Sequence, residues 1–310
     1  MRYDVIVIGA GFGGLSCASK LAKNGKKVLL LEKNPHIGGT SHIFYRSGYA
    51  FPMGALGFSY PSKIKKFLTS IGIKDGITIK RSHYQLITPR FDVLYSRSFD
   101  IFKADLKRIY PKEKNIDAFF TRFEKIIDHV ENISSWHPDY VFDKDKIEDL
   151  KNTTPDLKSK MQLIEQYSTA PCIDMLANYF TDPTLINLIG SQGTHVPTMS
   201  VLNLALMWNI MSREGIWFPS CGIHGLTDLM EETFLRYGGI LKCGHPVKKI
   251  SISGGRARGV LCENNKEYSS DWIVCNTDYK KTYLRFIEKT ALTDQFLKVL
   301  DEIPYTQSEL

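Results

Sequence analysis

A chain of 310 residues with 43% apolar and 12% aromatic side chains has length for about two domains and enough apolar surface to exclude intrinsic disorder. The formal charge of +7 is local, since Pro61–Lys114 holds 13 Lys or Arg against 5 Asp or Glu while Asn115–Leu150 holds 4 against 9; no RNA- or DNA-binding motif accompanies the basic run, so a nucleic-acid partner is not expected. The six cysteines form no CxxC pair and no metal spacing, which excludes a zinc module and points to reduced, mostly buried thiols in a cytoplasmic chain with no metal.

In chain order, Tyr3–Ile8 (YDVIVI) reads as a buried parallel strand, because a strand covered on both faces is apolar throughout rather than alternating. The glycine cluster after it leads into a helical pattern at Leu15, Ala18, Leu21 and Ala22. Asn24-Gly25 stops that helix, and Lys27–Leu31 is a second apolar strand ending at Glu32. The glycine cluster lies so close to Met1 that no charged and apolar leader fits ahead of it, so secretion is not expected.

Gly9, Ala10, Gly11, Phe12, Gly13 and Gly14 satisfy GxGxxG between a predicted strand and a predicted helix. Gly9 permits the tight turn, Gly11 removes the Cβ that would block a pyrophosphate, and Gly14 allows close helix packing. Phosphates then face a helix N-terminus, where free N–H groups favour negative charge. Glu32, 23 residues after Gly9, stands where a carboxylate accepts hydrogen bonds from ribose hydroxyls and disfavours a 2′-phosphate. Gly38-Gly39, five residues beyond Glu32 and followed by Thr40, Ser41 and Gly48, lets backbone approach a second, bulky part of the cofactor. This favours FAD over NAD.

From Pro61 to about Arg213 the texture is mainly helical, as at Ile64, Phe67, Leu68, Ile71 and again at Phe119, Phe120, Phe123, Ile126, Ile127, with some strand around Tyr84–Leu94. Lys63–Leu68 could lay an amphipathic helix on anionic lipid, or be a plain solvated lysine face. The longest apolar run, Val201–Met211, is broken by Asn203 and Asn209 and is far short of the ~20 residues that span a bilayer. Gly215–Pro219 opens a return to α/β texture: a helix over about Gly225–Tyr237, short strands at Gly239–Lys242, Lys248–Ser253 and Ala257–Glu263, and a last buried strand at Trp272–Cys275.

The ExxxxxGG extension resembles the amine oxidase-type flavoprotein superfamily, and within it the chain is most similar to the phytoene desaturase, carotenoid isomerase and retinol saturase-like family. The similar segments run collinearly: GGTSHIFYRSGYAFPMGA (Gly38–Ala55), CIDMLANYFTDPTLINLIG (Cys172–Gly190), GIWFPSCGIHGLTDLM (Gly215–Met230) and WIVCNTDY (Trp272–Tyr279). Between the last two fall Gly238-Gly239, Val247, Ile250 and Arg258-Gly259-Val260. Pro52 stands where the family has Asp, Cys221 where it has Gly, and Thr277 where it has Ala.

The resemblance implies an α/β fold: a Rossmann-like FAD-binding domain of the glutathione reductase-2 type with an inserted, mainly helical α+β substrate domain. The expected division is 1–60 and 215–280 for the FAD domain, 61–214 for the insertion, and 281–310 as an incomplete return toward it. It implies FAD held by Gly9–Gly14, Glu32, Lys33, Gly38, Gly39, Thr40 and Ser41, with the Val247 backbone on adenine. The implied chemistry is hydride exchange with a C–C or C=C bond of an apolar isoprenoid or polyene, the protein orienting substrate and excluding water. Peripheral membrane contact through 61–114 would suit such a substrate. The family continues past the point matching Leu310, so the resemblance further implies a truncated or split member that draws on a C-terminal half or a partner chain. An amine oxidase-like flavoenzyme and a non-catalytic prenyl-binding chaperone similar to GDP-dissociation inhibitors are the alternatives. No catalytic residue is named: His36, His42, His195, His224 and His245 fall in separate segments without partner spacing, and Thr194–Pro197 with Trp208–Trp217 fit either a substrate tunnel or plain core.

Overall fold

The computed structural model describes residues 2–74, 76–95, 99–134, 157–191 and 198–304. Thr194–Pro197, with His195, and the segment 135–156 lie outside the described residues. Two units emerge, residues 1–80 with 217–310, and residues 81–216.

The first unit begins with β1 (Arg2–Ile8), α1 (Phe12–Lys23) and β2 (Val28–Leu31). A hairpin of β3 (Ile43–Arg46) and β4 (Tyr49–Pro52) follows, then α2 (Pro61–Ile71). The hairpin turns on Ser47 (φ 51°) and Gly48 (φ 81°), two successive positive φ angles that match the twist of the flanking strands. The helix α2, expected in the insertion, packs here instead because Leu68 and Ile71 are buried in one cluster with Leu15 and Ala18 of α1.

The chain next passes through β5 (Ile79–Arg81), and the second unit holds the hairpin β6 (Tyr84–Thr88) and β7 (Phe91–Tyr95). Helices α3 (Phe99–Ile109), α4 (Ile116–Ser134), α5 (Leu157–Thr169), α6 (Cys172–Ala177), α7 (Pro183–Gly190) and α8 (Val201–Asn209) complete it. Its core is aromatic, with Phe102 stacked on Trp208 at 5.1 Å and Phe119 against Phe120, Phe123 and Phe180. Trp208 is fully buried, and its indole N–H donates to the Ile189 carbonyl at 2.9 Å, a partner that a buried indole needs.

The return to the first unit runs through β8 (Trp217–Pro219), α9 (Gly222–Arg236), β9 (Ile240–Lys242), β10 (Val247–Ser253), β11 (Arg256–Cys262) and β12 (Glu267–Cys275). A one-turn helix α10 (Tyr279–Lys281) and a helix α11 (Asp294–Glu302), whose Phe296 meets Tyr283 edge-on at 4.8 Å, end the described chain. One sheet has the order β10-β11-β12-β1-β2-β9. β12, β1, β2 and β9 are parallel and β10, β11 and β12 antiparallel. α1, α2 and α9 cover one face through Leu15, Leu68 and Phe234. The other face carries Val247, Ile250, Val260 and Phe286 against Ile6 and Leu29. Phe286 thus ties the segment after residue 281, expected to turn toward the insertion, to the first unit.

The basic run 61–114 divides between the two units. The α2 lysines Lys63, Lys65 and Lys66 are exposed in the first unit while its apolar residues face α1. In the second unit Lys103 pairs with Asp100 and Glu124, and Lys107 with Asp117. The acidic run of the sequence therefore meets part of the basic one across α3 and α4. No described helix is long and apolar enough to cross a membrane.

Candidate functional site

The parallel strands β1 and β2 end side by side, and the glycine turn sits at their C-terminal edge, where ligands bind in open α/β sheets. Gly9 adopts φ +98°, and a Cβ there would stand 2.6 Å from the Asn276 carbonyl oxygen. Gly11 is the N-cap of α1 in extended conformation (φ −73°, ψ 179°) without a side-chain cap. The first helix bond runs from Leu15 N–H to the Gly11 carbonyl at 2.9 Å, so the preceding amides of α1 are left for an external acceptor. Gly14 is glycine because a Cβ would lie 1.9 Å from the Gly9 carbonyl oxygen. The reason is closure of the turn itself rather than contact with the sheet.

Gly11 differs from its neighbours. Apart from its chain neighbours, the nearest atom among the described residues that a Cβ on it would meet is the Gly39 Cα at 4.0 Å, so packing there does not demand glycine. Open space in front of an uncapped helix N-terminus fits a diphosphate, and this is the observation by which the residues fit the expected cofactor. Gly38 (φ +102°) and Gly39 (φ +55°) lie alongside, with Gly38 N–H donating to the Ala10 carbonyl at 2.8 Å.

Glu32 is buried at 5% exposure and faces the turn. Its Oε2 accepts from Ala10 N–H at 2.7 Å and its Oε1 from Asn34 N–H at 2.9 Å. Each carboxylate oxygen keeps a further lone pair for a ribose hydroxyl. Val247 has its side chain in the core, and its segment is pinned to the same strand end by His245 N–H on the Glu32 carbonyl at 2.8 Å and Gly244 N–H on the Asn34 carbonyl at 2.9 Å. Phe12 packs partly into the helix-side core. Gly13 sits against the Asn276 carboxamide. Lys33 and Thr40 are exposed and Ser41 half-buried in the short turn Gly39–Ser41.

The histidines are closer than their spacing suggests. His36 and His42 stack at 3.5 Å with rings 9° from parallel, bracketing Gly38-Gly39. The His42 pKa is pushed down, first by burial and then by His36 and His224, with Asp228 opposing. His245 keeps Nε2 buried without a hydrogen-bond partner among the described residues, while Nδ1 contacts the Cys243 carbonyl at 2.9 Å. Thr277 is held in a hydroxyl–thiol network with Cys275 at 3.3 Å and Thr282 at 3.0 Å. Asn276, to which sequence reasoning gave no role, touches two of the cradle glycines. Among the described residues no group of three His, Cys, Asp or Glu could hold a metal ion.

The chain is 26% identical to prolycopene isomerase 1 of an Oncidium hybrid over 93% of its own length and 50% of that protein. It is 24% identical to the zeta-carotene-forming phytoene desaturase of Myxococcus xanthus over 98% of its length and 58% of that protein. It thus spans about half the length of the curated relatives it matches. Among solved structures, wild-type putrescine oxidase bound to putrescine aligns at TM-score 0.65 and 16% identity, over 97% of this chain and 63% of that one. Rab GDI of Plasmodium falciparum aligns at TM-score 0.52 and 13% identity, over 91% and 67%. These likenesses show the fold alone. The family described as "Flavin containing amine oxidoreductase" matches residues 12–309. A flavin whose protein offers a dinucleotide-type cradle is FAD. With nearly its whole length matched, this chain belongs to the flavin-containing amine oxidoreductases.

Proposed function

We propose that the chain is the FAD-holding part of an oxidoreductase acting on C–C or C=C bonds of an apolar polyene of the carotenoid class. The observation that carries this is the collinear likeness to carotenoid isomerases and desaturases over 93–98% of the chain, joined to a cradle whose one unexplained glycine, Gly11, opens onto an uncapped helix N-terminus. When bound, the flavin supplies hydride exchange with an allylic carbon.

The residues of this chain bind and orient. Amides at the start of α1 hold the diphosphate, Glu32 the ribose, and the Val247 backbone the adenine. Gly38 and Gly39 admit backbone close to the cofactor, with Lys33, Thr40 and Ser41 beside them. Residues 81–216 contribute to the substrate side. This second unit has an open groove of about 480 Å³ lined by Ile126, Tyr167, Met175 and Tyr179 among others. Contact with a lipid surface, if made through α2, would rest on Lys63, Lys65 and Lys66, because its apolar face is spent on the core. A C-terminal half, in the same polypeptide or as a partner chain, completes the active site.

The test is an absorption spectrum of the purified protein, followed by turnover of prolycopene and phytoene in liposomes against putrescine in solution. Flavin bands that disappear in Gly11→Val, with polyene turnover once the remaining half is supplied, are the expected result. A colourless protein that takes up no FAD on titration ends the reading, and oxidation of putrescine alone would replace the polyene with an amine.

A further inference from the structure

We infer that Asn276 is a cofactor-binding residue whose side-chain carboxamide donates a hydrogen bond to the diphosphate of FAD, a role that rests on the FAD reading above. Asn276 follows β12, and its N–H donates to the Ile8 carbonyl at 2.9 Å. This carries the β12–β1 pairing one residue past the register Ile8 with Cys275 and brings the residue over the glycine turn.

Asn276 lies against two glycines of the cradle. A Cβ at Gly9 would stand 2.6 Å from the Asn276 carbonyl oxygen, and a Cβ at Gly13 would stand 2.3 Å from its Nδ2. Gly13 lies in the first turn of α1, so the carboxamide sits beside the uncapped amides of that turn. The carboxamide makes no side-chain hydrogen bond among the described residues, and the residue is exposed to solvent. Packing does not explain this placement, because alanine at 276 would preserve the backbone contacts and free Gly13 to be alanine as well. A donor held beside the amides of α1 is explained by an acceptor arriving at the same place, and the diphosphate is the group that this cradle admits.

The experiment titrates apoprotein with FAD and with ADP by calorimetry, and with adenosine by saturation-transfer NMR, for the wild type, Asn276→Asp, Asn276→Ala and Asn276→Ser. The aspartate is isosteric but places a carboxylate against the phosphates. It should weaken FAD and ADP about tenfold or more while leaving adenosine within about twofold. Alanine and serine should weaken the phosphate ligands several-fold with the same indifference to adenosine, and serine serves if the aspartate does not fold. FAD and ADP affinities within twofold of wild type overturn the inference, as does a parallel loss of adenosine, which would mark Asn276 as purely structural. A wild-type chain that binds neither FAD nor ADP overturns the FAD reading itself, and the inference with it.

Discussion

At the level of single residues the cradle glycines separate into those demanded by the chain and one left for the ligand. Gly11→Ala places a methyl in open space with a backbone that any residue adopts. Its apoprotein should therefore melt within a degree or two of wild type by circular dichroism, while its FAD affinity falls at least tenfold. Gly14→Ala drives a methyl into the Gly9 carbonyl and should cost the apoprotein about 2–3 kcal/mol in urea denaturation. If the two variants behaved alike, the division would be wrong. Glu32 answers to both categories, since its carboxylate accepts the Ala10 and Asn34 amides before any ribose arrives. Glu32→Ala should lose about 2 kcal/mol of apoprotein stability by leaving two amides without their acceptor, in addition to its loss of FAD. Loss of FAD with unchanged urea midpoints would mean that water replaces the carboxylate.

Among the secondary-structure elements, α7 in the insertion shows a cap with a pH signature. Asp182 caps it, accepting from Thr184 N–H at 2.8 Å and from the Thr184 hydroxyl, and pairs with Arg90 at 2.7 Å. The Thr184 hydroxyl above all, then Arg90 and the Thr184 amide, outweigh burial and hold its pKa at about 2. A carboxylate depressed below the ordinary ~3.9 stabilises the fold above that value, and the contribution drains away as pH falls from about 4 toward 2. Asp182→Ala should cost about 1 kcal/mol at pH 7 as a lost cap, and thermal melts of variant and wild type should converge near pH 2. A gap that persists there would show that the carboxylate charge is irrelevant to the cap. The elements themselves were legible where burial wrote them into the sequence: YDVIVI is continuous because β1 is covered on both faces, and Phe119, Phe123 and Ile127 trace the buried stripe of α4. β12 begins at Glu267, five residues before the apolar Trp272–Cys275, because Ser269 and Ser270 are held by pairing with β1 and β11 rather than by hydrophobicity. The hairpin β3–β4 was missed although Ser47-Gly48 announced its turn, because Phe44, Tyr45, Tyr49 and Phe51 do not alternate apolar and polar. In the site, the glycine and Glu32 roles were readable from spacing. The approach of Asn276, and of His224 to His42, depends on sheet closure, which no local pattern encodes.

For the molecule as a whole, the first unit leaves several large aromatic side chains in water. Tyr45 (70%), Tyr49 (72%) and Trp272 (72%) are exposed, and on the β3–β4 hairpin that carries the two tyrosines Phe44 and Phe51 stack on each other at 5.3 Å. Patches of this kind bind hydrophobic dyes and promote association. Anilinonaphthalene sulfonate fluorescence should rise on mixing with the folded protein and fall in a Tyr45→Ser/Tyr49→Ser double variant whose FAD affinity is unchanged. An unchanged dye signal would locate the sticky surface elsewhere. The pairing of Arg2 with Ser269 has a different consequence, felt on the ribosome. β1 must find a neighbour synthesised more than 260 residues later, and at 5–20 residues per second that is a wait of roughly 15–50 s. Through that interval the edge VIVI stands open to other nascent chains. Yield in the cell should therefore track the supply of chaperones that shield early-emerging segments, and expression at reduced temperature with such a chaperone should recover more soluble protein than any strengthening of the finished sheet.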